Sequence, residues 1–390
     1  MKDEKKAPKL RFKGFTDDWE QRKLGDVAKI TAGGDINKGD LINKGKYPVI
    51  ANGLNNNGIV GYSNKYKIDA PAVTITGRGT LGVATARFIN FTPIVRLISI
   101  KSDLDPIYLE NVINNTHFVI ESTGVPQLTA PQVKRQTVIL SNCHIEQTKI
   151  GSLFLTLDNA ITLHEEKKHQ LERLKSALLQ KMFADKSGYP DIRFEGFSDE
   201  WEQCKLGDLA DRVTTKNKGM VSELPLTISA QDGLISQDEF FNKKVASKDL
   251  SSYLLLHHGD FAYNKSYSNG YPFGTIKRLE KYPQGVVSSL YIAFKPNSSI
   301  SSDFMAQYYE SNNWHKEIYK CAAEGARNHG LLNVPPSDFF ATNLNIPITK
   351  SEQLKIGRLL NAVDQTITLH DQKLNLLKLV KQSLLQNMFI

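Results

Sequence analysis

Residues 146–184 read EQTKIGSLFLTLDNAITLHEEKKHQLERLKSALLQKMFA, and residues 352–390 read EQLKIGRLLNAVDQTITLHDQKLNLLKLVKQSLLQNMFI. Nineteen of these 39 positions are identical at an offset of 206. Each copy lacks proline and has one early glycine (Gly151, Gly357), and KSGYP closes the first at Gly188 and Pro190, so both read as helices. The seam spacing alternates four and three: Ile150, Phe154, Leu157, Ile161, His164, Lys168, Leu171, Lys175, Leu178, Met182, and again Ile356, Leu360, Val363, Ile367, His370, Leu374, Leu377, Lys381, Leu384, Met388. That is a coiled-coil seam with a polar middle. Each helix would run roughly 58 Å at 1.5 Å per residue. Each copy's natural mate is the other copy. Two copies of one plan in a chain predict a pseudo-twofold relation, and with it an antiparallel pair. His164 and His370 hold matching seam positions, where a polar notch fixing the register competes with a metal or pH-switch role.

A second repeat lies outside the helices. Residues 8–28, PKLRFKGFTDDWEQRKLGDVA, match residues 190–210, PDIRFEGFSDEWEQCKLGDLA, at 14 of 21 positions with an offset of 182. The two offsets differ because the sequence between the repeats changes in length and in nearly all its content. The chain is therefore two copies of one plan: a short shared segment, a divergent segment and a shared long helix. A constant frame holding two variable parts suggests two different recognition surfaces, and a duplicated enzyme with one silent copy is the competing reading.

The 390 residues, 40% hydrophobic and 9% aromatic, are enough for two or three domains with buried cores. No apolar run approaches the roughly 20 residues of a membrane helix, and MKDEKKAPKL lacks the apolar stretch of a signal peptide. Cys143, Cys204 and Cys321 are far apart and in no metal-binding spacing, which fits a reducing cytoplasm. The net charge of +8 is compatible with nucleic acid. It is spread over the divergent segments, +5 in residues 29–145 (12 minus 7) and +2 in 211–350 (15 minus 13).

Those segments alternate short β-prone runs (APAVTIT, TPIVRLISIK, GDFAYNK, VVSSLYIAFKP) with Gly/Asn/Ser turns, and residues 105–118 and 303–319 read as helices. They are mixed α/β domains. Gly77-Arg78-Gly79-Thr80-Leu81-Gly82 fits the dinucleotide fingerprint, but VATARFINF after it reads as a strand, so a glycine-rich turn carrying Arg78 is expected. Val334-Pro335-Pro336-Ser337-Asp338-Phe339 loosely matches an amino-methyltransferase motif, but Val334 cannot hydrogen-bond an amino group, and a helix start capped by Ser337-Asp338 is expected. Phosphate-loop, zincin and nucleophile-elbow motifs do not occur, and no catalytic or metal site is expected.

What remains is basic, amide and aromatic residues in turns, the residue types that contact phosphates and base edges. The first segment offers Asn55 with Asn56 and Asn57, Lys65, Tyr66, Arg78, Arg87 and Gln127. The second offers Lys216, Asn217, Lys218, Asn264, Lys265, Tyr267, Asn269, Lys277, and the cluster Arg327, Asn328, His329. Taken singly each is an ordinary surface group, since loop Asn simply tolerates turns. Their placement on both divergent units makes them candidates for DNA binding.

The whole chain resembles the specificity subunit of bacterial type I restriction-modification systems. The resemblance rests on the twice-used RF-x-GF-x-D-x-WEQ-x-KLGD segment from Arg11 and Arg193, on helices opening EQ-x-KIG and closing LLQ-x-MF, and on the turns Gly124–Leu128 and Gly325–Leu332. It implies two globular α/β target recognition domains, residues 1–145 and 189–350, separated by a pair of antiparallel coiled-coil spacer helices, residues 146–188 and 351–390. Each domain would read one half of a bipartite double-stranded DNA target, and the helices would fix the spacer. It also implies two methyltransferase subunits docked on the shared regions and two motor-nuclease subunits. S-adenosylmethionine, ATP and Mg would bind those partners, with no cofactor in this chain. A self-contained DNA-modifying enzyme with a degenerate site is the alternative, and a bare coiled-coil scaffold is a third reading.

Overall fold

The computed structural model describes residues 7–118, 126–243, 246–247, 249–266, 270–322 and 332–390. It divides into two compact units, Met1–Glu166 with Asp371–Ile390, and Lys167–His370. Each long helix therefore contributes one end to each unit.

In the first unit, strand β1 (Glu20–Lys23) runs into a short helix α1 (Leu24–Val27) and strand β2 (Ala28–Ala32). Strands β3 (Tyr47–Ile50), β4 (Ile59–Ser63), β5 (Ala72–Ile75), β6 (Ala84–Arg87), β7 (Thr92–Pro93) and β8 (Ile98–Ser102) follow. They form a four-stranded sheet of order β2-β8-β5-β6 and a three-stranded sheet of order β4-β3-β7. Helix α2 (Pro106–Asn114) starts where Asp105 accepts a hydrogen bond from the Tyr108 amide, and it ends before residue 118. Helix α3 (Ala130–Arg135) and strand β9 (Thr137–Leu140) lead into helix α4 (His144–Lys181), and β9 pairs antiparallel with β1.

The second unit repeats this order. Strand β10 (Glu202–Lys205), helix α5 (Leu206–Leu209) and strand β11 (Ala210–Arg212) precede two hairpin strands, β12 (Leu226–Ser229) and β13 (Gly233–Ser236), and helix α6 (Gln237–Phe241). Then come β14 (Leu254–His257), β15 (Phe261–Asn264), β16 (Thr275–Arg278), β17 (Gln284–Val287) and β18 (Ile292–Pro296). Strands β11-β18-β15-β16 form a sheet whose connectivity copies that of β2-β8-β5-β6, although the sequences have diverged. Helix α7 (Ser302–Glu310) is capped by Ser301, whose hydroxyl accepts from the Phe304 amide. The expected helix over 303–319 is broken after Glu310, where the Ser311 hydroxyl bonds back to the Tyr308 carbonyl, and helix α8 (His315–Ala322) resumes. Helix α9 (Pro336–Phe340) begins at Pro335 without a side-chain cap, so the expected Ser337-Asp338 cap is replaced by proline's preset backbone. Strand β19 (Asn343–Ile346) pairs with β10 and precedes helix α10 (Lys350–Met388).

The shared motifs are explained bond by bond, twice. Glu146 on α4 receives the Arg11 guanidinium in two bonds, 2.5 and 2.9 Å, and Glu352 on α10 receives Arg193 in two bonds, 2.7 and 2.9 Å. Both carboxylates are buried, with side chains 0% and 2% exposed. The next residue, Gln147 or Gln353, donates to the carbonyl of Ser141 or Pro347 and accepts from the amide of Asp105 or Ser301. Lys149 lies 5.1 Å over the Phe15 ring, and Lys355 lies 4.8 Å over Phe197. Ile150 and Ile356 enter the cores. Gly151 and Gly357 are small because a Cβ would come within 2.3 Å of Asp105 Oδ1 and 2.7 Å of Asp303 Cβ.

The helix ends complete the same cores. In the first unit Phe389 of the α10 terminus packs on Trp19, Tyr108 and Phe154 with ring centroids 5.7–6.2 Å apart. In the second, Phe183, just past α4, packs on Trp201, Phe304 and Tyr308 at 5.3–6.4 Å. The Leu10 amide donates to the Asn387 carbonyl, and the Ile192 amide to that of Lys181, both at the paired repeat positions.

Within the first unit Lys381 bonds Asp158 and Lys378 bonds Glu165; within the second Lys175 bonds Asp364 at 2.6 Å. Numbers rise on one helix as they fall on the other, so the segments run antiparallel. Ile150, Phe154, Ile356, Leu360 and Val363 are buried, and Leu157, Ile161, Leu171, Leu178, Ile367, Leu377 and Leu384 are half-buried, while Leu163, Leu174, Leu369 and Leu379 are exposed. Gly188 lies beyond the end of α4, where its carbonyl accepts from the Trp201 amide, so it belongs to a connection rather than to the helix.

Candidate nucleic-acid interface

The β5–β6 turn of the first unit carries the glycine-rich run. Strand β6 follows it directly, and Gly79 and Gly82 take positive φ (70° and 81°), so no helix N-terminus faces a phosphate there. Arg78 is exposed at its tip. Three other segments converge on this turn. The Gly77 amide donates to Asn52 Oδ1 at 2.7 Å, the Leu128 amide donates to the Gly77 carbonyl at 3.0 Å, and Asn52 Nδ2 donates to the Val95 carbonyl at 2.6 Å. Gln127 joins them by accepting from Arg96 at 3.4 Å.

Asn52, bonded at both ends of its amide, holds these segments together, and Arg78, Arg96 and Gln127 form one cluster of guanidinium and amide groups, the chemistry that reads guanine and adenine edges. Sequence reasoning missed Arg96 and Asn52. TPIVRLISIK reads as one strand, yet Val95 and Arg96 adopt left-handed φ of 51° and 63° and turn Arg96 outward. Asn55, Asn56 and Asn57 lie exposed in the turn that links β3 to β4, with Asn56 and Asn57 also left-handed. Lys65 is exposed beyond the far end of β4.

Arg87 is tied into the fold instead. Its Nε donates to Thr74 Oγ1 and its Nη1 to the Asn57 carbonyl, both at 3.0 Å, and burial lowers its pKa.

In the second unit Lys218 is exposed, and Lys216, also exposed, donates to the Ser252 carbonyl at 2.8 Å. Asn217 is fully buried and staples its loop through the Ser222 amide and carbonyl, which accounts for its place there. Asn264 accepts from the Ser266 amide. Lys265 is half-buried, donates to the Val334 carbonyl at 3.3 Å, and burial lowers its pKa. Lys277 is paired with Glu310 at 2.5 Å, which occupies its charge inside the unit. Tyr267, Asn269 and Arg327, Asn328 and His329, like Gly124, Val125 and residues 325–331 of the two turns, lie outside the described residues.

Among the described residues no group of three His, Cys, Asp or Glu side chains could hold a metal ion, and no helix is long and apolar enough to cross a membrane. A cleft of about 620 Å³ in the second unit is lined by Lys175, Lys277, Arg278, Gln307, Glu310 and Asp364. Lys175, Lys277 and Arg278 there are paired with Asp364, Glu310 and Asp303.

The family model for the type I restriction modification DNA specificity domain matches residues 16–173. That span holds the first divergent segment, most of its shared segment and most of α4, the parts whose joint geometry is described above. The matched residues, about two fifths of the chain, are similar to that domain family.

Two putative type I specificity subunits of Mycoplasma pneumoniae (strain ATCC 29342 / M129 / Subtype 1) are similar to the chain. S.MpnORF507P is 29% identical over 137 residues, 34% of this chain, and S.MpnORF89P is 27% identical over 131 residues, 32% of it. The matched stretches span 38% and 39% of those relatives' length. The crystal structure of the type I restriction-modification S subunit from M. genitalium matches 98% of this chain and 99% of its own, with a TM-score of 0.66 at 16% identity. The chain therefore shares the fold of that S subunit over nearly all of its length.

Proposed function

We propose that the chain is the DNA sequence-specificity subunit of a type I restriction-modification complex and carries no catalytic site of its own. Each unit reads one half of a bipartite duplex target, and the helix pair sets the spacer. Two methyltransferase subunits dock on the shared frame, and two motor-nuclease subunits join them in the cytoplasm. S-adenosylmethionine, ATP and Mg belong to those partners.

The observation that carries this reading is the frame built twice from the same bonds around unlike surfaces. A partner that binds twice needs identical surface twice. Asp17, Glu20, Lys23 and Asp26 remain exposed and unchanged at Asp199, Glu202, Lys205 and Asp208, where none of the core packing requires them. Half-sites that differ need different surfaces, and the divergent segments differ.

The test is the double substitution R78A/R96A in the assembled complex, read by the methylated motif. One half-site should relax, since each bidentate arginine–base pairing supplies about 1–3 kcal/mol of discrimination, while the other half stays readable. Equal relaxation in both halves, or no change, would refute the assignment.

A further inference from the structure

The β3–β4 hairpin has two chemically different ends. At the β3 C-terminal end stand Asn52 and the exposed asparagines of the 55–57 turn, beside the Arg78 cluster. At the other end stand Lys44, Lys46, Lys65 and Lys67, all exposed, around Tyr66. Tyr47 pairs with Ser63 in the ladder, which brings the 44–46 and 65–67 segments side by side.

Tyr66 is 41% exposed, yet its ring is fixed. It packs on Tyr47 at 4.7 Å, and the neighbouring Asp69 carboxylate raises the pKa of its hydroxyl. Lys46 Nζ lies 5.4 Å from the Tyr47 ring, and Lys67 Nζ reaches the Asp35 carbonyl at 3.5 Å. Among the described residues none of these four lysines is in a salt bridge. Four ammonium groups on one rim outnumber the neighbouring Asp35 and Asp69 carboxylates and make a surface for a polyanion.

Building on the specificity-subunit reading, we propose that this lysine–tyrosine rim is a phosphate clamp. It would grip the DNA backbone beside the half-site that the Arg78 end reads and so set that unit's register on the duplex. Lysine suits the role: it is a point charge that holds phosphate without the planar fork that selects a base. Strand β3 from Tyr47 to Ile50 separates the two ends by about 10 Å at 3.3 Å per residue. The clamp contributes affinity and position; the Arg78 end contributes choice.

The experiment measures duplex binding by the full chain against salt, with cognate and scrambled duplexes, for the parent and for K44Q/K46Q/K65Q/K67Q. Glutamine keeps much of the side-chain length at exposed positions, and an unchanged near-ultraviolet circular dichroism spectrum confirms the fold. The slope of log affinity on log salt should fall by about 0.9 for each phosphate that the variant no longer neutralises, two to four phosphates in all. Affinity should drop by the same factor on both duplexes, with the methylated motif unchanged. An unaltered slope would overturn the clamp while leaving the specificity reading intact. A shifted motif would overturn it too, by making these residues base readers. A parent chain with no salt-dependent duplex binding would overturn the underlying reading and the clamp with it.

Discussion

Truncating one ring at a helix terminus should loosen one unit and spare the other. Phe389 is 6% exposed and meets three aromatic rings in the first unit. Removing a buried phenylalanine side chain costs about 3–5 kcal/mol in transfer energy and residual cavity. The three ring pairs, at roughly 0.5–1.5 kcal/mol each in general, place Phe389→Ala toward the upper part of that range. Since each 1.4 kcal/mol is about tenfold, amide exchange through unit opening should quicken by roughly 10³-fold. The assay is hydrogen exchange by mass spectrometry, following β1 and α2 in the first unit and α7 in the second. F389A should accelerate β1 and α2 and leave α7 unchanged. Phe183→Ala should do the reverse, because Phe183 fills the matching place beside Trp201. Acceleration below about tenfold, or equal acceleration in both units, would refute the idea that each core is closed by a helix terminus.

Four further outcomes follow from the same bonds and packing. Arg11→Ala leaves a buried carboxylate without its partner and should destabilise the first unit by about 3–5 kcal/mol, read by urea denaturation. Burial alone would raise the Glu146 pKa, but the bonds from Arg11, Ser141 and Trp19 bring it below the ordinary value. Its contribution is therefore present above the unfolded carboxylate value and lost as pH falls through the lower folded one; Glu146→Gln should flatten that acid limb in urea midpoints taken from about pH 3 to 7. Gly151→Ala sets a Cβ against the Asp105 carboxylate that caps α2 and should cost about 1–3 kcal/mol in the same assay, whereas Ser152→Ala, at an exposed position, should cost little. Inserting seven residues after both Glu166 and His370 preserves the seam and adds about 10 Å of helix, so the methylated motif should gain about three base pairs of spacer with its half-sites intact. Placing the insertion near Gly188 instead would strain the connection to Trp201 and leave the helices their original length.

The helix seam was legible because periodicity is local: residues four and three apart face one way whatever lies elsewhere. The purpose of EQ-x-KIG was not legible, because its partners lie in another stretch of the chain. Glu146 meets Arg11, 135 residues earlier, and Glu352 meets Arg193, 159 residues earlier. The coincidence of the two repeats held the signal, since an arginine and a glutamate retained in both copies are the two halves of one bond.

Strand breaks were hidden where propensity and backbone disagreed. Val95, a β-prone residue, and Arg96 within a β-prone run take left-handed conformations, held there by hydrogen bonds of the Val95 and Arg96 amides to the Gly34 and Gly33 carbonyls. The candidate interface was legible by residue type and less so by exposure. Arg78 and Lys65 reach solvent, but Arg87, Lys277 and Asn217 serve the fold, and nothing in their local sequence distinguishes an arginine at a turn from one beneath it.

The most direct test of the central claim is to map methylated adenines across the host genome by single-molecule sequencing, with this gene present and deleted. The account predicts that deletion abolishes methylation at one asymmetric two-part motif and at no other, and that the gene restores it in trans. A methylome unchanged by deletion, with the co-expressed methyltransferase partner still modifying the same motif, would contradict it.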